Sequence, residues 1–423
     1  MAFIPGKKTK KAAHGGVIAA LDVGSTKICC LIARADDPNK IKVIGVGHQS
    51  SQGVRAGTIV NMEDAEAAIG NAVHAAEQMA GVTIRDVYVN VSGGHPTSQT
   101  LGVEVAILDQ EVTEVDLRRA LAQGRAQHRI PENEVIHAIP VSYSLDGNRG
   151  IRDPRGMFGD RLGVALHIVT AHSGPLRNLH TCVGRCHLDI EGMAVSPYAS
   201  GLSCLVEDEL DLGVTCIDMG GGTTTIAVFS EGNLVYTSCV PAGGAHVTND
   251  IARGLTTPVG HAERMKILYG NAMTSSADER EMINVPLVGE DDRVQGNQVP
   301  KSQLGRIIQP RLEEIFELVR SRLEAGGMAK LAGRRVVLTG GAAQLPGTRE
   351  LAQQILDKQV RIGKPARVVG LSEATSGPAF ATAAGLLIQA TRQHHTELPA
   401  GSPATAASGN LLGRVGSWLR ENL

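Results

Sequence analysis

A chain of 423 residues with 42% hydrophobic and 20% charged content reads as globular and is too long for one ordinary core, so two to four structural units are expected. A formal net charge of −2 gives no general pull toward nucleic acid or anionic lipid, and no stretch approaches the ~20 apolar residues of a transmembrane helix. The start, "MAFIPGKKTKKAAHGG", carries four lysines and no acid, and it lacks the apolar run of a secretory signal. A cytoplasmic protein with a basic arm at 1–14 is therefore expected.

The first strong pattern is "AALDVGSTKICCLIA" (19–33): an apolar strand ending in Asp22, a Gly-rich turn with hydroxyls, and a second strand. The same layout returns in "TCIDMGGGTTTIAVFS" (215–230), where Asp218 lies 196 residues further on, about half the chain. Either hairpin alone is an ordinary turn. The pair predicts a duplicated α/β fold with a cleft between its halves. Gly24, Gly220, Gly221 and Gly222 let backbone N–H groups approach an anion without Cβ clashes. Ser25, Thr26, Thr223 and Thr224 add hydroxyl donors for phosphate oxygens, and Lys27 adds a positive charge. Asp22 and Asp218 are placed to hold a hydrated Mg2+, which prefers a few carboxylates plus waters. The chain has no G-x-x-x-x-G-K-[ST], and neither hairpin leads straight into a helix, so P-loop and dinucleotide fingerprints are absent.

Between the hairpins lies "HTCVGRCH" (180–187), a C-x3-C spacing with flanking histidines. Structural zinc sites pair two such knuckles and no second one exists, so the seven cysteines are expected to be reduced core residues. In "RGLTTPVGHAERMKILYG" (253–270), Thr257 is expected to cap a helix with Pro258 at its first position. Glu263 and Lys266 then share a face, either as a surface ion pair or as contacts to ribose and base. "RRVVLTGGAAQLPGTRELAQQIL" (334–356) reads as strand, Gly-Gly turn and helix. There Gly340, Gly341 and Ala342 would let the backbone approach an adenosine and its α-phosphate, unless the turn is a plain glycine corner.

Four of these pieces in this order, "LDVGSTKI", "IDMGGGTTTIAV", "LTGGAAQLPG" and "PAFATAAGLL" (378–387), resemble the actin/Hsp70/sugar-kinase superfamily. Within it, "SQGVRAGTIVN", "VYVNVSGGHPTS", "GLTTPVGHAERMKILYG" and above all "IHAIPVSYSLDGNRGIRDPRGMFGDRLGVALHIVTA" (136–171) are similar to the bacterial cell-division family FtsA. The resemblance implies an actin-like α/β fold, two duplicated halves around a nucleotide cleft, with an inserted subdomain 1C at 93–173. It implies subdomain 1A at 15–92, 174–205 and 375–392, subdomain 2A at 206–243 and 333–374, and subdomain 2B at 244–332. It also implies ATP and Mg2+ as ligands, self-assembly into a protofilament, and capture of the FtsZ C-terminal peptide by subdomain 2B. The helix at 304–323 offers Arg306 and Arg311 for that peptide, against the alternative of a solvated helix face. Other division proteins are further expected partners, at the cytoplasmic face of the inner membrane. Many superfamily members carry an acid where "AVSPYASGLSCL" (194–205) has Ser196, so hydrolysis is expected to be slow unless Glu191 substitutes. A small-molecule kinase, a chaperone ATPase and a pilus-assembly relative are the alternatives.

The segment after the linker 393–409 separates these readings. Wound as a helix, 410–423 puts Leu411, Leu412, Val415, Trp418, Leu419 and Leu423 on one arc, with Arg414 and Arg420 on the other. A leashed amphipathic helix serves a membrane-tethered scaffold and has no use in a kinase. Each apolar side chain contributes up to ~1.5–3 kcal/mol when fully buried, and each arginine about 1 kcal/mol near anionic lipid. Gly413, Gly416 and the short length oppose helix formation in water. Trp418 is the only tryptophan, so its fluorescence reports this segment alone. Emission is expected to shift to the blue with anionic vesicles, and an unchanged spectrum at saturating lipid would leave a partner's groove as the destination.

Overall fold

The computed structural model describes residues 16–37, 40–127, 131–289, 297–328 and 331–396. The basic arm and the amphipathic segment from Leu411 to Leu423 lie outside the described residues.

The chain begins with an antiparallel meander, β1 (Val17–Val23), β2 (Lys27–Asp37) and β3 (Lys40–Ser50), followed by the short pair β4 (Val54–Arg55) and β5 (Thr58–Ile59). Helix α1 (Met62–Ala80) starts where the Asn61 side chain accepts the N–H groups of Glu63 and Asp64, and it ends at the left-handed Gly81. Strand β6 (Asp86–Val91) then pairs parallel with β1. Here the chain departs into an insertion: β7 (Thr97–Ala106), α2 (Glu114–Gln127), β8 (Asn133–Leu145), β9 (Asn148–Ile151) and β10 (Arg161–His172). Its sheet, in the order β7-β10-β8-β9, is antiparallel throughout and buries a small separate core around Val103, Leu162, Leu166 and Ile168. The chain returns through α3 (Ser173–Arg185) and β11 (Asp189–Val195), the latter parallel to β6. Helix α4 (Ser196–Cys204) then crosses to the second half.

That half begins with α5 (Glu207–Leu212) and repeats the meander as β12 (Val214–Met219), β13 (Thr224–Ser230) and β14 (Asn233–Val240). Helices α6 (Gly244–Gly254) and α7 (Val259–Tyr269), the hairpin β15 (Met282–Val285) with β16 (Asn297–Pro300), and α8 (Lys301–Ala325) form its outer part. Strand β17 (Arg335–Thr339), α9 (Thr348–Leu356) and β18 (Gln359–Ile362) complete the second sheet. The chain then comes back to the first half with β19 (Val368–Val369), parallel to β3, and α10 (Ala381–Thr396).

The duplication extends to register. One sheet runs β11-β6-β1-β2-β3-β19 and the other β18-β17-β12-β13-β14, each with two parallel strands beside an antiparallel meander. Asp22 faces Cys29 across its hairpin and Asp218 faces Thr225 across the other. Gly24 N–H closes the first turn on the Lys27 carbonyl at 3.0 Å, and Gly220 N–H closes the second on Thr223 at 2.9 Å.

Thr257 does not cap α7. Its buried hydroxyl donates to the Pro286 carbonyl at 2.6 Å, Thr256 before it takes φ of +50°, and Pro258 stands at the cap. The thiols of Cys182 and Cys186 point at the carbonyls of Met62 and Glu66 on α1, and Cys29, Cys30, Cys204 and Cys216 are buried.

Helices α4 and α10 cross between the sheets at Gly385, where a Cβ would sit 1.7 Å from the Ala199 carbonyl oxygen. No side chain fits there without parting the two helices. Gly385→Ala is expected to cost about 3 kcal/mol, the upper end for forced overpacking, and to lower the urea and thermal midpoints together. Unchanged midpoints would mean that the helices do not meet so closely.

Candidate functional site

Both Gly-rich hairpins, the Gly340 turn and the N-terminus of α4 open onto one cleft of about 470 Å³ between the halves, a size usual for small-molecule sites. Asp22, Gly24, Ser25, Thr26, Lys27, Asp218, Gly220, Gly221, Gly222, Thr223, Glu263, Lys266, Gly340, Gly341 and Ala342 all line it. The hairpins touch across the cleft: a Cβ on Gly221 would lie 2.3 Å from the Thr26 methyl, and one on Gly222 2.5 Å from Ser25 Oγ.

The two carboxylates sit at the cleft floor, 8% and 7% exposed. Asp218 is fixed by two hydroxyls on the crossing helices: Ser200 of α4 donates to Oδ2 at 2.7 Å and Thr382 of α10 at 2.8 Å. Its other oxygen is approached by Gly340, whose φ of +86° and absent Cβ (2.4 Å from Oδ1 if present) leave no other residue a place there. Burial raises the Asp218 carboxyl above its usual range despite these hydrogen bonds and Lys27. Burial also pushes Asp22 up to about 7, with Lys27 opposing and Asp218 adding to the rise. Lys27 extends past both, donating to the Ala379 carbonyl with its ammonium 3.4 Å from the Phe380 ring centroid.

Several expectations need correction. Gly24 and Gly220 spend their own N–H groups inside their turns, so neither presents one to an anion. Thr224 faces away from the cleft: it is fully buried and its hydroxyl donates to the Ala242 carbonyl at 2.8 Å. Thr225 lines the cleft in its place. Glu191 is exposed on β11 and is not among the cleft residues, whereas Ser196 is. The Lys266 ammonium already meets three acceptors, Glu263 at 2.7 Å, Thr248 Oγ1 at 2.8 Å and the Gly244 carbonyl at 3.1 Å, which matches its three N–H bonds. Arg311 holds Asp250 with two nitrogens, at 2.5 and 3.2 Å, and also pairs with Glu314, so its guanidinium is engaged inside the fold. Arg306 is 71% exposed and meets Glu279 at 3.4 Å.

Asn90 is a cleft residue that the sequence reading passed over. Its side chain accepts the Val23 N–H at 2.7 Å and donates to Ser196 Oγ at 3.1 Å, tying the first hairpin to α4. An asparagine inside the apolar run "VYVNV", just before Gly-Gly, was the available signal. His137 of the insertion lies behind the cleft: its Nε2 accepts the Val195 N–H at 3.0 Å, one residue before Ser196. Burial holds its pKa down at about 3, so it is a neutral acceptor.

The fit to a nucleotide with a divalent cation rests on these observations. Two buried carboxylates face one space, glycine turns line it without Cβ atoms, and the buried Thr225 Oγ1 has no hydrogen-bond partner among the described residues. Asp22 and Asp218 would hold the hydrated cation, whose charge would offset that of the phosphates.

Comparison with solved structures gives the class. The PilM-PilN type IV pilus biogenesis complex matches at a TM-score of 0.62 and 16% identity, over 88% of this chain and 98% of that one. ADP-bound MreB5 of Spiroplasma citri matches at 0.53 and 14%, over 90% and 98%. With the duplicated sheets, this is an actin-like two-lobed fold carrying an insertion. The family model "SHS2 domain inserted in FTSA" matches residues 93–170, and "Cell division protein FtsA" matches 215–385. Curated proteins named cell division protein FtsA align nearly end to end. Identity is 46% with Rhizobium meliloti and 45% with Agrobacterium fabrum, each over 99% of this chain and 98% of the relative. It is 33% with Escherichia coli K12, over 97% and 99%. The chain belongs to the FtsA family of bacterial cell-division proteins.

The raised Asp22 carboxyl sets a pH dependence. Its folded pKa of about 7 stands above the 3.8 of an unperturbed aspartate, so the folded state holds the extra proton. The resulting stability is complete below about pH 4 and is lost as pH rises through 7. Thermal midpoints of nucleotide-free, metal-free protein are expected to fall from pH 5 to 7.5, with a stability loss of about 3 kcal/mol at most, since about two of those pH units lie below the folded pKa. Asp22→Asn, neutral and of similar shape, is expected to flatten that fall. Parallel slopes in the two proteins would show that Asp22 is ionised across the range.

Proposed function

We propose that this chain is an ATP-binding, actin-like division protein that assembles with itself and tethers the FtsZ ring to the inner membrane from the cytoplasmic side. The pair of buried carboxylates beneath two Gly-rich hairpins carries the reading, since burying two like charges is unfavourable until a cation joins them. Solved relatives of the same fold include MreB5 with ADP and with AMPPNP. Mg2+ and ATP would bind between the halves, the phosphates over Ser25, Thr26, Gly221, Gly222 and Thr223 and the nucleoside toward Gly341, Ala342 and Glu263. With Ser196 in place of an acid, nucleotide acts chiefly as an assembly ligand, and hydrolysis is slow.

Membrane attachment is assigned to residues 410–423. No helix among the described residues is long and apolar enough to cross a bilayer, which suits a peripheral mode. A single short helix holds a monomer loosely, whereas a protofilament joins many weak anchors into firm attachment. The region 244–332 is proposed to receive the FtsZ C-terminal peptide. Arg306 is an exposed cation on α8, and Arg311 shapes the surface through Asp250.

Sedimentation with and without anionic liposomes, with and without ATP and Mg2+, tests this reading. Wild-type protein is expected to pellet with liposomes, more strongly with ATP, and deletion of 410–423 to abolish pelleting while ATP binding persists. Gly341→Asp has room in the fold, since the nearest atom to its Cβ is Ala379 Cβ at 3.9 Å. It places a negative charge beside the phosphates and should weaken ATP binding at least tenfold, from a like-charge contact of about 1–3 kcal/mol. Wild-type affinity in that variant would put the nucleotide elsewhere.

A further inference from the structure

Thr225 holds a hydroxyl that the described residues do not use. It is 2% exposed, lines the cleft, and its Oγ1 has no hydrogen-bond partner among them. Neighbouring buried threonines are spent within the fold: Thr224 on the Ala242 carbonyl, Thr237 on Ile226, and Thr339 on Gly363 and Pro378. An orphaned buried hydroxyl costs about 1–3 kcal/mol, so its retention beside a ligand cleft points to a partner supplied with the ligand.

The register says which part of the ligand. Thr225 on β13 lies directly opposite Asp218 on β12, and opposed residues of an antiparallel pair project from the same face. Asp218 Oδ2 is occupied by Ser200 and Thr382, while Oδ1, toward Gly340, keeps no side-chain donor among these contacts. The duplication supplies an internal control. The matching position in the first half, opposite Asp22, is Cys29, a buried thiol and weak hydrogen-bonding group. A hydroxyl is therefore not something the hairpin geometry demands, and the polarity is specific to the second half.

We propose that Thr225 is a positioning residue for the cation, its hydroxyl holding a water of the hydration shell of a divalent ion at Asp218. This rests on the nucleotide reading above. Mg2+ retains several waters when bound, and a fixed hydroxyl that orients one of them favours the loaded state without ligating the metal.

The test uses the full chain with Thr225→Val, which keeps the shape and removes the hydroxyl, and Thr225→Ser, which keeps the hydroxyl. ATP binding is measured by thermal shift and by titration, in Mg2+ and in EDTA. The valine variant is expected to melt at or above the wild-type temperature without ligand, because an unpartnered polar atom has gone. Its ATP affinity should fall roughly tenfold in Mg2+ and stay unchanged in EDTA, with serine restoring the wild-type value. Wild-type Mg2+ dependence in the valine variant would overturn the assignment, and an equal loss in both conditions would make Thr225 a nucleotide or packing contact instead. If wild-type protein itself bound ATP with no help from Mg2+, the reading beneath the proposal would fail, and the assignment with it.

Discussion

Two carboxyl groups buried at the junction of two sheets are the constraint around which the remainder is arranged. Left alone, Asp22 and Asp218 would be driven out of the interior or neutralised, and the upward displacement of both pKa values records that tension. The fold answers with positioned groups rather than with a single counter-ion. Lys27 comes from the first hairpin, Ser200 and Thr382 from the two crossing helices, and Gly340 opens the approach to the remaining oxygen. Since those helices also join the halves, the elements that hold the carboxylate are the same ones that set the relation of one half to the other.

The insertion takes part in this arrangement. It packs its own core, yet His137 reaches the start of α4 through the Val195 N–H, and the ring stands edge-on to Tyr198, 5.1 Å between centroids. Tyr198 in turn stacks near Phe229 of the second half, at 6.2 Å. On another side, Ser98 Oγ exchanges hydrogen bonds with the backbone of Thr237, and Asn233 donates to the Val141 carbonyl. The insertion therefore touches both halves, so a change in the angle between them has to be accommodated at its base.

The sequence showed the hairpins because Asp, glycine and hydroxyl residues recur in one order at two places, and local order determines a turn. It did not show Ser200 or Thr382, which lie 18 and 164 residues from Asp218 and meet it only through helix packing. The run Thr223-Thr224-Thr225 was ambiguous for another reason: neighbouring strand residues face opposite ways, and only the pairing of Thr225 with Asp218 fixes which one enters the cleft. Arg311 looked free because Asp250, its partner, lies 61 residues away on another helix. Thr257 had the chemistry of a cap, but the Pro286 carbonyl claimed its hydroxyl first.

The return of the chain to the first half has a consequence for biosynthesis. Strand β3 is made early, and among the described residues its outer edge is covered by Val368 and Val369. The face formed by Ala20, Leu31 and Tyr88 is sealed by Ala383, Ala384, Leu386 and Leu387 of α10. At ~5–20 residues per second, the ribosome leaves that edge and face uncovered for some tens of seconds while the whole second half emerges. Lys40 and Lys42, exposed on β3, guard the open edge during that interval by charge. A message cut anywhere before α10 thus yields a first half that is bare and prone to aggregate, whereas one cut just beyond residue 396 still encodes every strand and helix described.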